Sequence, residues 1–179
     1  YDRENAAAMD ALASISKPVL AAIHGFCVGG GCAIALTADL RYCAEDGVFA
    51  IPAARLGLGY GADGIERLVQ EVGMPAAKEI FFTARRFSAE QALRMGLVNA
   101  VLAKAELDAH VRGVAETIAA NAPLTLKSAK LAMREIVKDS SSRDAAALRA
   151  SIEDCYESAD YAEGVRAFLE KRSPRFTGR

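Results

Sequence analysis

Three consecutive glycines, Gly29-Gly30-Gly31, follow a short apolar run and open a small apolar segment from Cys32 to Thr37. A glycine turn that feeds a helix exposes backbone N–H groups beside the positive end of the helix dipole. Such a turn can bind an anion or an oxyanion developing on a carbonyl. The same glycines also suit a strand-to-helix turn packed closely against a neighbour, and the spacing alone leaves both uses open. Two further uses drop out. No Gly-Lys-Ser/Thr follows, so this is not a phosphate loop, and Gly-x-Gly-x-x-Gly is absent at this turn, so it is not a dinucleotide fingerprint.

A second glycine-rich stretch, Leu56 to Ile65, carries Tyr60 and Asp63. Asp63 serves either as an acid or base, if it faces a pocket, or as the cap of a helix beginning near Gly64, the commoner use of Asp at such a place. Tyr60 is open to a site role or a structural one. Glu45 and Asp46 precede Gly47 in a turn between strands, where acidic residues are common for conformational reasons. His24, before Gly25, reads as the end of a strand, and His110 lies among charged neighbours on an amphipathic helix. Cys27, Cys32, Cys43 and Cys155 form no Cys-x-x-Cys pair, and with only two histidines no zinc site is expected; they read as buried thiols of a reducing cytosol. Lys171, Arg172 and Arg175 form a basic cluster that reads as a solvated helix end, a reading that charge alone does not displace.

These groups need elements to hold them. Asp2 to Ile15 has helical spacing at Ala8, Leu12 and Ile15, and Lys17-Pro18 ends it. Pro18 to Ile23 reads as a strand buried on both faces, Leu40 to Cys43 as the next, Phe49 to Pro52 as another, and Leu97 to Val101 as a last. Helical patterns run from Ile65 to Val72 and from Pro75 to Phe82, and Ser88 caps a helix that stops at Gly96. Strand, glycine turn, helix, strand is an α/β order. From Lys104 only helices follow, with Leu107, Val111, Val114 and Ile118 on one face and Leu148, Ile152, Cys155 and Ala159 on another. Asn121-Ala122-Pro123 and Asp139 to Arg143 separate them. The chain therefore divides into residues 1–103, part of an α/β core, and 104–179, a helical region whose apolar faces suit packing on another subunit.

The 179 residues and 52% hydrophobic content suffice for a sizeable core, and a net charge of −1 gives no field to gather nucleic acid or an anionic membrane. No apolar run nears the roughly 18 to 20 residues of a membrane span, and Tyr1-Asp2-Arg3-Glu4 is unlike a signal peptide, so a cytoplasmic location is expected. The absence of an initiator methionine suggests a piece of a longer polypeptide.

Lys17 to Cys32 followed by Ala38-Asp39-Leu40-Arg41 resembles the core signature of the enoyl-CoA hydratase/isomerase (crotonase) superfamily. The likeness continues through Phe82-Thr83-Ala84, Ser88-Ala89, Ala92-Leu93 and Met95 to Asn99, and ends with Glu163 to Phe176, so it covers essentially the whole chain. The resemblance implies a ClpP/crotonase spiral of β-β-α units, N-terminally incomplete here, followed by C-terminal helices that support trimers or dimers of trimers. It implies an acyl-CoA substrate, with coenzyme A as part of that substrate, no separate cofactor and no metal.

By the same resemblance, a thioester enolate is held between two backbone N–H groups. One matches Gly30. The other lies upstream of Tyr1 in family members, so the 179-residue chain alone is expected to be inactive. Hydratases of the family use two glutamates as acid and base; the matching positions here are Ala33 and Ala53, which cannot transfer a proton. Tyr60 matches a tyrosine in the similar loop of the family's methylmalonyl-CoA decarboxylase branch. Phe168 and Lys171 match residues that hold the CoA nucleotide, often in a neighbouring subunit's site. The expectation is an acyl-CoA enzyme of fatty-acid or acyl-CoA metabolism, a lyase or isomerase. The alternatives are a malonyl-type decarboxylase and a non-catalytic acyl-CoA-binding subunit.

Overall fold

The computed structural model describes residues 2–179, with side chains from Ala7 onward, so the opening Tyr1-Asp2-Arg3-Glu4 lies outside the described side chains. The chain forms two compact units, residues 1–15 with 19–112, and 16–18 with 113–179. The compositional change at Lys104 lies upstream of that division, between the last strand and the helix after it.

The first unit holds two small sheets visited in alternation. After α1 (Asp2–Ser14), β1 (Leu20–Ile23) enters the first sheet and β2 (Phe26–Val28) the second, and α2 (Gly30–Ala35) follows. Then β3 (Leu40–Ala44) joins β1 in parallel, β4 (Val48–Ala50) joins β2 in parallel, and α3 (Ala53–Leu56) and α4 (Ala62–Thr83) follow. Two successive β-β-α turns are thus stacked, pairing Ile23 with Cys43 and Val28 with Ala50. A third turn is compressed: β5 (Phe87–Ser88) pairs antiparallel with β4, α5 (Ala89–Arg94) follows, and β6 (Ala100–Leu102) closes the first sheet as β1-β3-β6.

The corners explain the path. Gly25, at φ 62°, turns the chain from β1 into β2, and its N–H donates to Asp46 Oδ1 at 3.3 Å. Asp46 also accepts from Lys104 Nζ at 2.6 Å, so the Glu45-Asp46 turn is a structural latch, and Lys104 holds that carboxyl below its ordinary range. The expected Ser88 cap is present as a full capping box: Gln91 N donates to Ser88 Oγ and Ser88 N to Gln91 Oε1. α4 contains both expected helical runs, bent at Gly73, whose φ of 73° breaks the helix just ahead of Pro75. Phe49, Ile51, Leu68, Phe87 and Cys43 are among the most buried side chains of this core.

Two strand expectations need correction. The last strand is Ala100–Leu102, not Leu97–Val101, because the segment ahead of it is bonded to Arg41: Leu97 O accepts from Arg41 Nε at 2.8 Å and Asn99 Oδ1 from Arg41 N at 2.7 Å. The first strand is not buried on both faces. Ala22 is exposed while Ile23 is buried, as suits a strand at the edge of its sheet among the described residues.

The chain passes into the second unit within α6 (Leu107–Ala119). That unit is helical: α7 (Pro123–Ile136), α8 (Ala145–Glu157) and α9 (Ala159–Leu169), with a tail to Arg179. Pro123 occupies the first turn of α7, where its missing N–H costs nothing. Asp144 caps α8 and Ser158 caps α9 by accepting from Ala147 N and Tyr161 N. The Ser158 cap corrects the face drawn through Ala159, which belongs to α9 and is exposed, as is Ile152. The Asp139–Arg143 linker contains a short 3-10 turn at Ser140–Ser142. Among the described residues no helix is long and apolar enough to cross a membrane.

Candidate active site

α2 and α3 both leave the C-terminal ends of neighbouring parallel strands, the usual place for a ligand in an α/β sheet. At the end of β2, Gly29 N donates to Ala50 O at 2.9 Å, which ties the turn to β4. Gly29 then adopts φ 56°, a left-handed conformation that needs glycine, and its carbonyl accepts from Ala33 N at 3.0 Å to start α2. Gly30 is the first helical residue, so its N–H has no carbonyl one turn back to bond. Gly30 and Gly31 are exposed, and a Cβ built on either would meet nothing within 4 Å among the described residues. The glycine run is therefore explained at Gly29 by conformation and at Gly30 and Gly31 not by crowding.

The two positions expected from the resemblance to match the family's acid and base carry no titratable group. Ala33 is half-buried on the second turn of α2, and Ala53 is buried at the start of α3 behind Pro52. Ile34, Leu56 and Leu58, each more than half exposed, add apolar surface on α2, on α3 and just beyond it.

Tyr60 is half-buried. Its ring meets Phe81 edge-on, with centroids 4.9 Å apart, and lies over Gly64, where a Cβ would collide with Tyr60 Cε1. Burial pushes its hydroxyl above the ordinary phenol value, and the Cys32 sulfur, next after Gly31, adds to that. Tyr60 is therefore a neutral hydrogen-bond donor at pH 7, packed against the core cluster that contains Cys32. The Cys32 thiol in turn contacts Cys27, which keeps Cys32 strongly protonated and lowers Cys27.

Asp63 is not the cap. Gly61 precedes the helix and Ala62 opens it, so Asp63 sits exposed within the first turn, where an acid complements the helix dipole. Spacing of the dinucleotide type does occur here, at Gly59, Gly61 and Gly64, but it follows α3 rather than a strand and so lacks the context that motif requires. His24 ends β1 as expected and meets Asp108 at 2.9 Å, while His110 packs edge-on against Tyr42. Among the described residues no group of three or more His, Cys, Asp or Glu could hold a metal.

Several motif residues prove to be scaffold. Arg41, buried on β3, donates to Ala38 O at 2.6 Å and Leu97 O at 2.8 Å and pairs with Glu71 on α4. Asp39 Oδ2 accepts from Val19 N at 2.6 Å. The Ala38-Asp39-Leu40-Arg41 and Met95 to Asn99 segments are thus partners in one junction. Glu71 escaped the sequence reading because nothing in a helical pattern marks which surface acid will meet an arginine from another element.

Phe168 and Lys171 lie in the second unit. Phe168 is 82% exposed. Beyond it α9 ends in a Schellman motif: Arg172 N donates to Ala167 O at 3.0 Å and Lys171 N to Phe168 O at 3.2 Å. Lys171 takes the left-handed position of that motif, φ 53°, usually given to glycine.

The whole chain, residues 1–179, matches the family described as enoyl-CoA hydratase/isomerase. It is 37% identical over 158 residues to a short-chain-enoyl-CoA hydratase of Clostridium acetobutylicum, covering 88% of this chain and 60% of that one. Identity to a carnitinyl-CoA dehydratase of Proteus mirabilis is 36%, over 97% of this chain and 68% of that one. A solved enoyl-CoA hydratase/carnithine racemase from Magnetospirillum magneticum superposes with a TM-score of 0.87 at 33% identity, over 96% of this chain and 64% of its own. An enoyl-CoA hydratase from Bacillus anthracis gives a TM-score of 0.86 at 32% identity, over 98% and 68%. The chain belongs to the enoyl-CoA hydratase/isomerase family and spans about two-thirds of the length of these relatives.

Proposed function

We propose that the intact protein is an acyl-CoA enzyme that stabilises a thioester enolate at the Gly30 N–H without paired-glutamate acid/base chemistry. The observation that carries this reading is the unbonded, exposed N–H at the start of α2 with alanine at both neighbouring acid/base positions, Ala33 and Ala53. A fixed donor aimed at developing charge supplies much of the stabilisation in such reactions. In the family a second N–H from a segment upstream of the matched part completes the hole. Phe168 and Lys171 hold the CoA nucleotide, and the helices from 104 onward carry a trimer or a dimer of trimers.

Tyr60 packs against the core cluster that contains Cys32, the residue after the glycine turn, and a hydroxyl carried there supports a second, more specific reading: decarboxylation of a malonyl-type thioester such as methylmalonyl-CoA. Loss of CO2 leaves its bonding electrons as the enolate, so the step needs no base. A neutral donor then returns a proton to carbon or orients the departing carboxylate.

The test is a mass-resolved product assay on the intact protein, offered crotonyl-CoA and methylmalonyl-CoA side by side. CO2 loss without hydration is the outcome expected of the decarboxylase reading. Tyr60→Phe should then slow turnover by about 10²-fold or more if Tyr60 moves the proton, and an unaltered rate would remove Tyr60 from the mechanism. Water addition to crotonyl-CoA would overturn the decarboxylase reading and show that other residues replace Ala33 and Ala53 in the acid/base work. Tight binding of both thioesters with no product would instead select a non-catalytic acyl-CoA-binding subunit.

A further inference from the structure

The end of α9 is organised around one carboxylate. Glu163 Oε1 accepts from Arg172 Nη1 at 2.6 Å and from the Arg175 N–H at 2.9 Å, and Oε2 accepts from Arg172 Nη2 at 2.9 Å. Arg172 Nε donates to Glu170 at 2.6 Å, so this guanidinium is committed to two carboxylates. One turn earlier the buried Asp160 accepts from Thr177 N at 2.7 Å and Gly178 N at 2.8 Å. Between these anchors the Phe176 ring lies against Gly164, 3.6 Å from where a Cβ would stand. The tail is thereby folded back along α9.

The consequence falls on Lys171. Among the described residues only Ala84 and Lys171 are non-glycine residues at positive φ. A left-handed conformation is unfavourable for a side chain with a Cβ and persists only where the surroundings impose it. Here the imposing contacts lie on both sides. The Schellman bonds fix the end of α9, and the Glu163 clamp fixes Arg172, the next residue. Glycine would make this turn without strain, so lysine at this position brings an ammonium at a conformational cost. Among the described residues that ammonium has no ion-pair partner, whereas its neighbour Arg172 has two.

We infer that Glu163 is a positioning residue for phosphate recognition. By clamping Arg172 and the Arg175 amide it holds Lys171 in the left-handed turn beside exposed Phe168, and it withdraws Arg172 from competition for the anion. The phosphates of a CoA thioester then meet Lys171 rather than the whole basic cluster. This inference rests on the proposal that Phe168 and Lys171 hold CoA.

A double-mutant cycle with free coenzyme A as the probe tests it, titrating the intact protein at several salt concentrations. Lys171→Ala should weaken binding about tenfold and flatten its salt dependence, as loss of one charge-assisted contact does. Glu163→Gln, which keeps shape and removes charge, should weaken binding about three- to tenfold and, in the Lys171→Ala background, by less than about twofold, because it acts through Lys171. Arg172→Lys keeps the charge but not the fork, and should reproduce the Glu163→Gln effect with helix content unchanged. Equal effects of Glu163→Gln in both backgrounds, or none in either, would overturn the positioning role while leaving the CoA reading intact. If Lys171→Ala and Phe168→Ala both leave affinity unchanged, the CoA reading itself fails and the inference with it.

Discussion

The two units each contain an arginine–carboxylate pair, and the pairs do opposite work. Arg41 is 3% exposed at its side chain and reaches Glu71, Ala38 and Leu97 from the middle of a sheet. Arg172 is 37% exposed and closes a tail against the helix it follows. A guanidinium taken out of water must have its donors satisfied, so the first pair is bound up with the fold itself. The second sits in solvent, where an ion pair adds little to global stability and its effect is local order. One junction ties β3 to the segment ahead of β6 and to α4. The other shapes a surface.

The largest expected effect sharpens this contrast. Arg41→Ala should destabilise the protein by about 2–4 kcal/mol, because it strands the Ala38 and Leu97 carbonyls that the buried guanidinium satisfies. Arg172→Ala should leave the global midpoint of chemical denaturation nearly unmoved while freeing the tail to exchange amide hydrogens. Equal shifts in the two denaturation curves would break the comparison.

The sequence made some of this legible. The α/β order followed from apolar runs punctuated by Gly and Pro, the β-β-α repeat was implied by the family resemblance, and Ser88 was legible as an N-cap, which the structure completes as a capping box with Gln91. Local chemistry was visible because it lies within one turn of chain. What escaped was set by contacts distant in sequence: Arg41 with Leu97 and Asn99, which displaced the last strand, and Glu71, which completes the junction. Asp63 was misplaced as a cap because the glycines before it do not mark which one leaves the helix, and Gly61 does so with no side-chain bond. Of the candidate site, Gly30, Ala33 and Ala53 were found through motif and resemblance. The pressing of Tyr60 onto Gly64 and Phe81 was invisible to pattern, since a tyrosine in a glycine loop looks equally free in any direction.

That packing carries the next effect in size. Gly64→Ala inserts a methyl into the space of the Tyr60 ring and should cost about 1–3 kcal/mol as an overpacking change. Tyr60→Leu in the same background should recover part of that stability. If Tyr60 handles a proton, Gly64→Ala should also slow turnover, with little change in CoA affinity if CoA is held by Phe168 and Lys171 of the second unit as proposed. A loss confined to affinity would place the two sites in one contact network and blur the contrast between the units.

The smallest effect is a local one, and its sign follows from Glu163. Arg172 and the Arg175 amide, with Arg166 nearby, hold this carboxyl at about 2 in the folded protein against an ordinary 4.5. A carboxyl depressed on folding binds its proton more readily in the open state, so its contribution to tail closure is fully present above about pH 4.5 and declines as pH falls toward 2. Hydrogen exchange at the Arg175 amide, corrected for intrinsic rate, should therefore show constant protection from pH 7 to about pH 5 and progressive loss below about pH 4. Glu163→Gln should remove that acid-dependent step and lower protection at every pH. Amides of β3, held by Arg41 and its partners, should not follow the same curve. If they did, the two clamps would open as one unit, and the division of labour between a buried junction and a solvent-facing latch would have to be abandoned.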